Sequence, residues 1–419
     1  CLKTVNLKKT SLYTSISAFA TFISGFLIVK VVAVKIGPEG IAYLGQFQNT
    51  VAILNMLATG AISIGIIKYL SEFRRQNGKQ EEVIGTALLI MICCSLFITV
   101  ISLLLSGYFS KMSFKDTSYS KVYIAYGICT IAFAFNLLFP AILNGLKKIK
   151  WLTAVNVSSS IIGVLFMLVF TYYFGIIGAL ISSSVQALVV LLINLIIAKK
   201  AGVSFSISGI KYHKETASKL FKFSLMAAVS GIVLPLTQIQ IREIIITRFS
   251  FTDAGYWQAI TKVSDYYLAF ITSILAVYYL PRLSEIDNKP ELRLEIFKGY
   301  KIILPIVIAM AFAIWILKEP IIHILFSKDF LPAKSYFTFQ LLGDVFKIGS
   351  WLLAYLMLAK ALTKEYIITE ILFSVTLIFL SRWFIGQYGV IGATYAFALN
   401  YGLYWILMWW LLKKYFYKV

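Results

Sequence analysis

A chain of 419 residues that is 60% hydrophobic and only 14% charged cannot be a set of water-soluble domains, because it lacks the polar surface to cover them. Lys and Arg outnumber Asp and Glu 39 to 18, a formal charge of +21. The excess falls in short connections between apolar runs, which excludes a nucleic-acid partner and points to topology control in a bilayer.

A membrane-crossing helix needs about 20 mainly apolar residues. In chain order that ruler predicts spans at 11–34, 41–68, 83–107, 119–143, 152–173 and 177–197. A second set follows at 219–247, 254–280, 300–317, 335–359, 366–384 and 390–412. The first run, from Leu12 to Val34, is too long for a signal peptide and has no small-residue cleavage pattern after it. Residues 151–198 carry no charge, and as one helix they would reach about 70 Å, far beyond a bilayer. They are therefore expected to fold back at Phe174-Gly175.

The basic residues alternate between loops. Clusters such as Lys8-Lys9, Lys147-Lys148, Lys199-Lys200, Arg282 with Lys289, and Lys413-Lys414 fall on one side, and the intervening loops are sparse in Lys and Arg. The positive-inside rule then predicts both termini in the cytoplasm and an even number of crossings.

The two halves look like copies. Gly175-Ile176-Ile177-Gly178-Ala179 recurs 214 residues later as Gly389-Val390-Ile391-Gly392-Ala393, and each following helix ends in a Lys pair. Leu70-Ser71-Glu72 matches Leu283-Ser284-Glu285 at an offset of 213, as Tyr43 matches Tyr256. Six helices per copy keep both in the same direction through the membrane. The expected fold is an all-α integral membrane protein, with about twelve transmembrane helices in two parallel six-helix repeats around a central cavity. Its predicted parts are an N-terminal lobe 1–198, a cytoplasmic linker 199–218 and a C-terminal lobe 219–419.

Charges at bilayer depth are costly, so they face a cavity or one another. Lys30 is read either as snorkelling to the headgroups or as lining the cavity. Arg242 keeps its charge and has the fork that suits phosphate oxygens. Lys262 with Asp265, and Asp344 with Lys347, are three apart and expected to pair along their helices. Glu243 stands beside Arg242. Span two adds the amides Gln46, Gln48, Asn49 and Asn55, which suit sugar hydroxyls and helix–helix hydrogen bonds equally. Cys93 and Cys94 are adjacent, no C-x-x-C is present, and His213 and His323 are isolated, so neither a metal site nor another cofactor is expected. Loops of about 20 residues or fewer hold no acidic pair, which disfavours a membrane enzyme.

Gly37-Pro38-Glu39-Gly40 after helix one, Tyr256-Trp257-Gln258 with Ser264-Asp265, and Gln340-Leu341-Leu342-Gly343-Asp344 resemble the Wzx-type flippases. That family is the polysaccharide-transporter branch of the multidrug/oligosaccharidyl-lipid/polysaccharide exporter superfamily. The resemblance is closest to carriers of O-antigen and enterobacterial-common-antigen lipids. It implies a transporter, with no catalytic residues, that moves undecaprenyl-diphosphate-linked oligosaccharide across the bacterial inner membrane. Its partners would be that lipid, membrane lipid, and the glycan polymerase and chain-length proteins. Arg242, Lys262 and Lys30 are then the candidate diphosphate contacts, and Asp265, Asp344, Lys347 and Glu243 the gating or coupling groups. The alternative on the same fold is a drug/cation antiporter.

Overall fold

A computed structural model describes residues 7–73, 76–203 and 212–416. Part of the expected linker 199–218 therefore lies outside the described residues. Helices α1 (Leu7–Lys35), α2 (Pro38–Ala58), α3 (Ser63–Glu72), α4 (Asn77–Leu104), α5 (Ser106–Phe114), α6 (Ser120–Gly145) and α7 (Ile149–Ala201) come first. They are followed by α8 (Lys214–Arg248), α9 (Phe251–Ile274), α10 (Leu280–Glu285), α11 (Lys289–Ile316), α12 (Lys318–Leu325), α13 (Phe337–Ala359), α14 (Thr363–Tyr388) and α15 (Gly392–Phe416). No strand occurs among the described residues.

Among the described residues, eight segments are long and apolar enough to cross a bilayer, or nine if α2 and α3, bent by 46°, count as one. Two of the segments, 149–201 and 363–415, are 53 residues long. Each is long enough to cross twice. α7 does fold back: Gly163 lies against Gln186, and the Ser182 hydroxyl donates to Met167 Sδ at 3.7 Å. α14 and α15 fold back likewise, with Phe373 beside Tyr404 at 4.5 Å and Tyr388 beside Tyr395 at 5.5 Å. Counting also α9, a 24-residue helix that carries Lys262 and Asp265 and is not among those segments, the crossings among the described residues come to the twelve expected from the sequence.

Two expected spans are interrupted. The run 41–68 breaks after α2, where Gly60 (φ 61°) and Ala61 (φ 57°) take left-handed backbone that ends a helix. The run 254–280 passes through a π-helical turn at Leu275–Tyr279 before α10, the kind of local distortion that bends a helix.

The chain forms two compact units. Unit 1 holds Cys1–Ile36 and Gln46–Pro235; unit 2 holds Gly37–Gly45 and Leu236–Val419. Both α2 and α8 thus contribute one end to each unit.

In unit 1 the helices are tied by polar side chains. Asn156 Nδ2 donates to Ser17 Oγ at 2.7 Å and Thr153 Oγ1 to the Tyr13 carbonyl at 3.0 Å, which joins α7 to α1. Asn194 donates to Asn136 Oδ1 at 2.9 Å, and Asn136 donates to the Ala187 carbonyl at 2.8 Å, which joins α6 to the second arm of α7. Hydrocarbon gives helices little reason to associate by burial alone, so such bonds fix partners and register.

Unit 2 has a core of Ile241, Ile245, Trp257, Leu377, Ile385 and Ala396. Tyr300 knots three helices together: its hydroxyl donates to the Gly349 carbonyl at 2.7 Å and accepts from Trp405 Nε1 at 2.9 Å. Pro38 opens α2 at a position that tolerates its missing N–H. Its carbonyl lies so close to Gly255 of α9 that a Cβ there would collide with it.

Candidate functional site

The polar site of unit 2 is built on α9. Ser250 caps this helix by accepting from the Asp253 N–H at 3.0 Å. The stacking of Tyr43 on Phe251, with centroids 4.5 Å apart, sets the start of α2 against it. Gln258, Lys262 and Asp265 follow at spacings of four and three, which places them along one stripe of the helix.

Arg242 of α8 is completely enclosed, at 0% exposure. Its Nε donates to Gln258 Oε1 at 3.1 Å, and its Nη2 donates to the same oxygen. The guanidinium lies 5.7 Å from the Trp257 ring centroid, within cation–π range. Gly45 completes the enclosure: a Cβ there would come 2.9 Å from Gln258 Cδ and 3.1 Å from Arg242 Nη2. The fork expected to grip phosphate is engaged by a protein amide in this structure. Lys262, one turn beyond Gln258, is half-buried, and Asp265 and Arg242 are the charges that act on it. Glu243 is half-buried next to Arg242, and Lys30 is half-buried on α1 in unit 1.

The expected Asp344–Lys347 pairing gives way to a different arrangement. Asp344 is fully buried on α13, and its Oδ2 accepts from Ser264 Oγ at 2.6 Å and from the Tyr267 hydroxyl at 2.9 Å. Gln340 Nε2 approaches Oδ1 at 3.4 Å. The Lys347 ammonium instead lies over the rings of Trp351, Phe397 and Tyr401, 5.0, 5.8 and 5.6 Å from their centroids. Each group meets what the packed helices bring to it, hydroxyls of α9 at Asp344 and aromatic rings of α13 and α15 at Lys347. Among the described residues, ion pairs form elsewhere, as between Arg282 and Glu285, Glu291 and Glu295, and neither Lys262 with Asp265 nor Asp344 with Lys347 closes into one.

Unit 1 presents a different surface. A cavity of about 770 Å³ is lined mostly by apolar side chains, edged by Asn55, Thr59, Ser63, Asn144, Asn156 and Ser230. Among the described residues, no charged side chain lines it.

The sequence motifs singled out as familiar thus meet in space. Pro38 packs on Gly255, Gln258 engages Arg242, and Ser264 engages Asp344. The roles of Gln258, Ser264 and Tyr267 were missed in the sequence, which drew attention to formal charges. Their signal was a polar residue recurring every three or four positions along an apolar helix.

Comparison with known proteins agrees with this architecture. The chain is 30% identical over 404 residues to the lipid III flippase of Escherichia coli strain K12, spanning 96% of this chain and 97% of that one. The same identity and coverage relate it to the lipid III flippase of Shigella flexneri. An inward-facing multidrug resistance MATE family transporter of the MOP superfamily matches in fold with a TM-score of 0.78, at 14% identity and over 97% of each chain. A MOP superfamily transporter from Pyrococcus furiosus matches with a TM-score of 0.65 at 14% identity, over 97% of this chain and 95% of that one. The polysaccharide biosynthesis protein family matches residues 7–287. With two thirds of its length inside that match and a flippase relative along nearly all of it, this multi-pass membrane chain belongs to the polysaccharide biosynthesis protein family.

Proposed function

We propose that the protein is a flippase, not an enzyme, and that it carries an undecaprenyl-diphosphate-linked oligosaccharide of the O-antigen repeat type. It would move this lipid from the cytoplasmic to the periplasmic leaflet of the bacterial inner membrane, with both termini in the cytoplasm and lobes 1–198 and 219–419 alternating access. The observation that carries the reading is the near full-length likeness to a lipid flippase. The physical need agrees: a diphosphate bearing sugars would lose its hydration in hydrocarbon unless a protein supplied polar partners.

Lys262 is the residue proposed to meet the diphosphate first, since it is half-buried where Arg242 is enclosed. Arg242 and Lys30 are further candidates, with Arg242 reaching phosphate only if Gln258 releases it. Asp344, Asp265, Glu243 and Lys347 are proposed to set the stability of each state. A drug antiporter would offer a carboxylate to its aqueous cavity; Asp344 is enclosed by Ser264 and Tyr267 and does not fit that role, while Asp265 is exposed.

The test is reconstitution into vesicles with a fluorescent undecaprenyl-diphosphate oligosaccharide, followed by quenching from one side. Wild-type protein is expected to expose the label to the opposite leaflet. Lys262→Ala, losing a charge-assisted contact, is expected to slow exposure about tenfold or more. Lys262→Ala at the wild-type rate would remove it from the site, and no exposure by wild type would remove the function. For orientation, maleimide added from the periplasmic side should label Glu39→Cys and not Glu81→Cys; the reverse pattern overturns the topology.

A further inference from the structure

The cavity of unit 1 has a chemistry that the buried charges of unit 2 do not share. Two of its amides, Asn55 and Asn156, are each half engaged. Asn55 Oδ1 accepts from the Tyr126 hydroxyl at 2.9 Å, which leaves its amide nitrogen as a donor at the cavity edge. Asn156 does the opposite: its nitrogen donates to Ser17 Oγ at 2.7 Å, which leaves its carbonyl oxygen as an acceptor. Asn144, on a third helix, is exposed at the same edge. One rim therefore offers both a donor and an acceptor, each locked in orientation by a bond to the protein behind it.

We infer that this cavity is a binding site for the uncharged sugar rings of the cargo, separate from the diphosphate contacts. A sugar hydroxyl both donates and accepts, so it pairs with a rim of mixed polarity. A phosphate accepts only, and among the described residues no cation lines the cavity to meet it. The apolar walls, including Leu137, Leu152 and Leu234, offer ring C–H faces a surface. The volume of about 770 Å³ lies within the usual range for small-ligand sites, roughly 300–1,000 Å³. Orienting amides through bonds on their far side lowers the cost of ordering them on binding.

The inference rests on the flippase reading, and the experiment separates the two. Vesicles containing wild-type protein, Asn55→Leu/Asn156→Leu, or Asn144→Trp are compared on two lipids: undecaprenyl-diphosphate trisaccharide and undecaprenyl-diphosphate monosaccharide. Asn144→Trp is included because, among the described residues, the exposed Asn144 side chain holds no hydrogen bond between helices, so this variant is expected to fold where the double variant does not. The expected result is an approximately tenfold loss of trisaccharide transport, the value of one or two hydrogen bonds, with monosaccharide transport little changed. Trisaccharide lipid should also protect Asn144→Cys from maleimide in a background lacking the native cysteines, while the monosaccharide lipid protects it less. Equal loss on both lipids, or no loss on either, with no selective protection, overturns the sugar site while the flippase reading stands. Failure of wild-type protein to move either lipid brings down both.

Discussion

The two long hairpins, α7 and α14–α15, make the same turn in the same way. Gly175 (φ 56°, ψ −138°) and Gly389 (φ 72°, ψ −159°) occupy a backbone region open in practice only to glycine. Three residues later, Gly178 abuts the Phe170 carbonyl and Gly392 abuts the Phe384 carbonyl, again 214 residues apart. The interiors of the units that hold these hairpins differ. Unit 1 is stitched by amides and hydroxyls, while unit 2 encloses an arginine against Gln258 and an aspartate under two hydroxyls. A turn that only one residue type can make is retained in both copies, whereas interior polarity is free to diverge.

The comparison is broken most strongly at Gln258. Gln258→Leu takes from an enclosed guanidinium the oxygen that accepts two of its hydrogen bonds, and losing such a bond to a charged group costs roughly 1.5–3 kcal/mol for each. Unfolding in SDS should show this loss, and Arg242→Met in the same chain should recover most of it. No recovery would mean that Gln258 matters for packing rather than for the charge.

Next in size are the turns. Gly175→Ala meets nothing within 4 Å, so its cost is backbone strain alone, about 1–3 kcal/mol, and Gly389→Ala should match it. A large difference between the two in thermal unfolding would show that the hairpins are alike in form but not in energetic weight.

The smallest effect belongs to the amides of unit 1. Asn194→Leu removes one interhelical bond to Asn136, worth about 0.6 kcal/mol and at most roughly 1.7 in a bilayer. If SDS unfolding of Asn194→Leu equals that of Gln258→Leu, the contrast between neutral and charged interiors has no energetic meaning.

The number of crossings, the fold-back at Gly175 and the duplication were legible in the residues, because each follows from local rules. Hydrocarbon demands about 20 apolar residues per crossing, and a glycine pair 214 positions from its copy announces a repeated turn. The family resemblance was legible too, through short motifs on α2, α9 and α13. The partners of the charges were not. Spacing along one helix suggested Asp344 with Lys347, but a side chain meets whatever the neighbouring helix presents. Here those groups are Ser264 and Tyr267, 80 and 77 residues away in sequence. The enclosure of Arg242 by Gly45, Trp257 and Gln258, and the half-engaged amides of Asn55 and Asn156, were likewise decided by tertiary packing. The sequence alone determined which groups had to be satisfied inside the membrane, since hydrocarbon leaves no polar group to water. Which group satisfies which depends on distances between helices, and those exist only once the helices have packed.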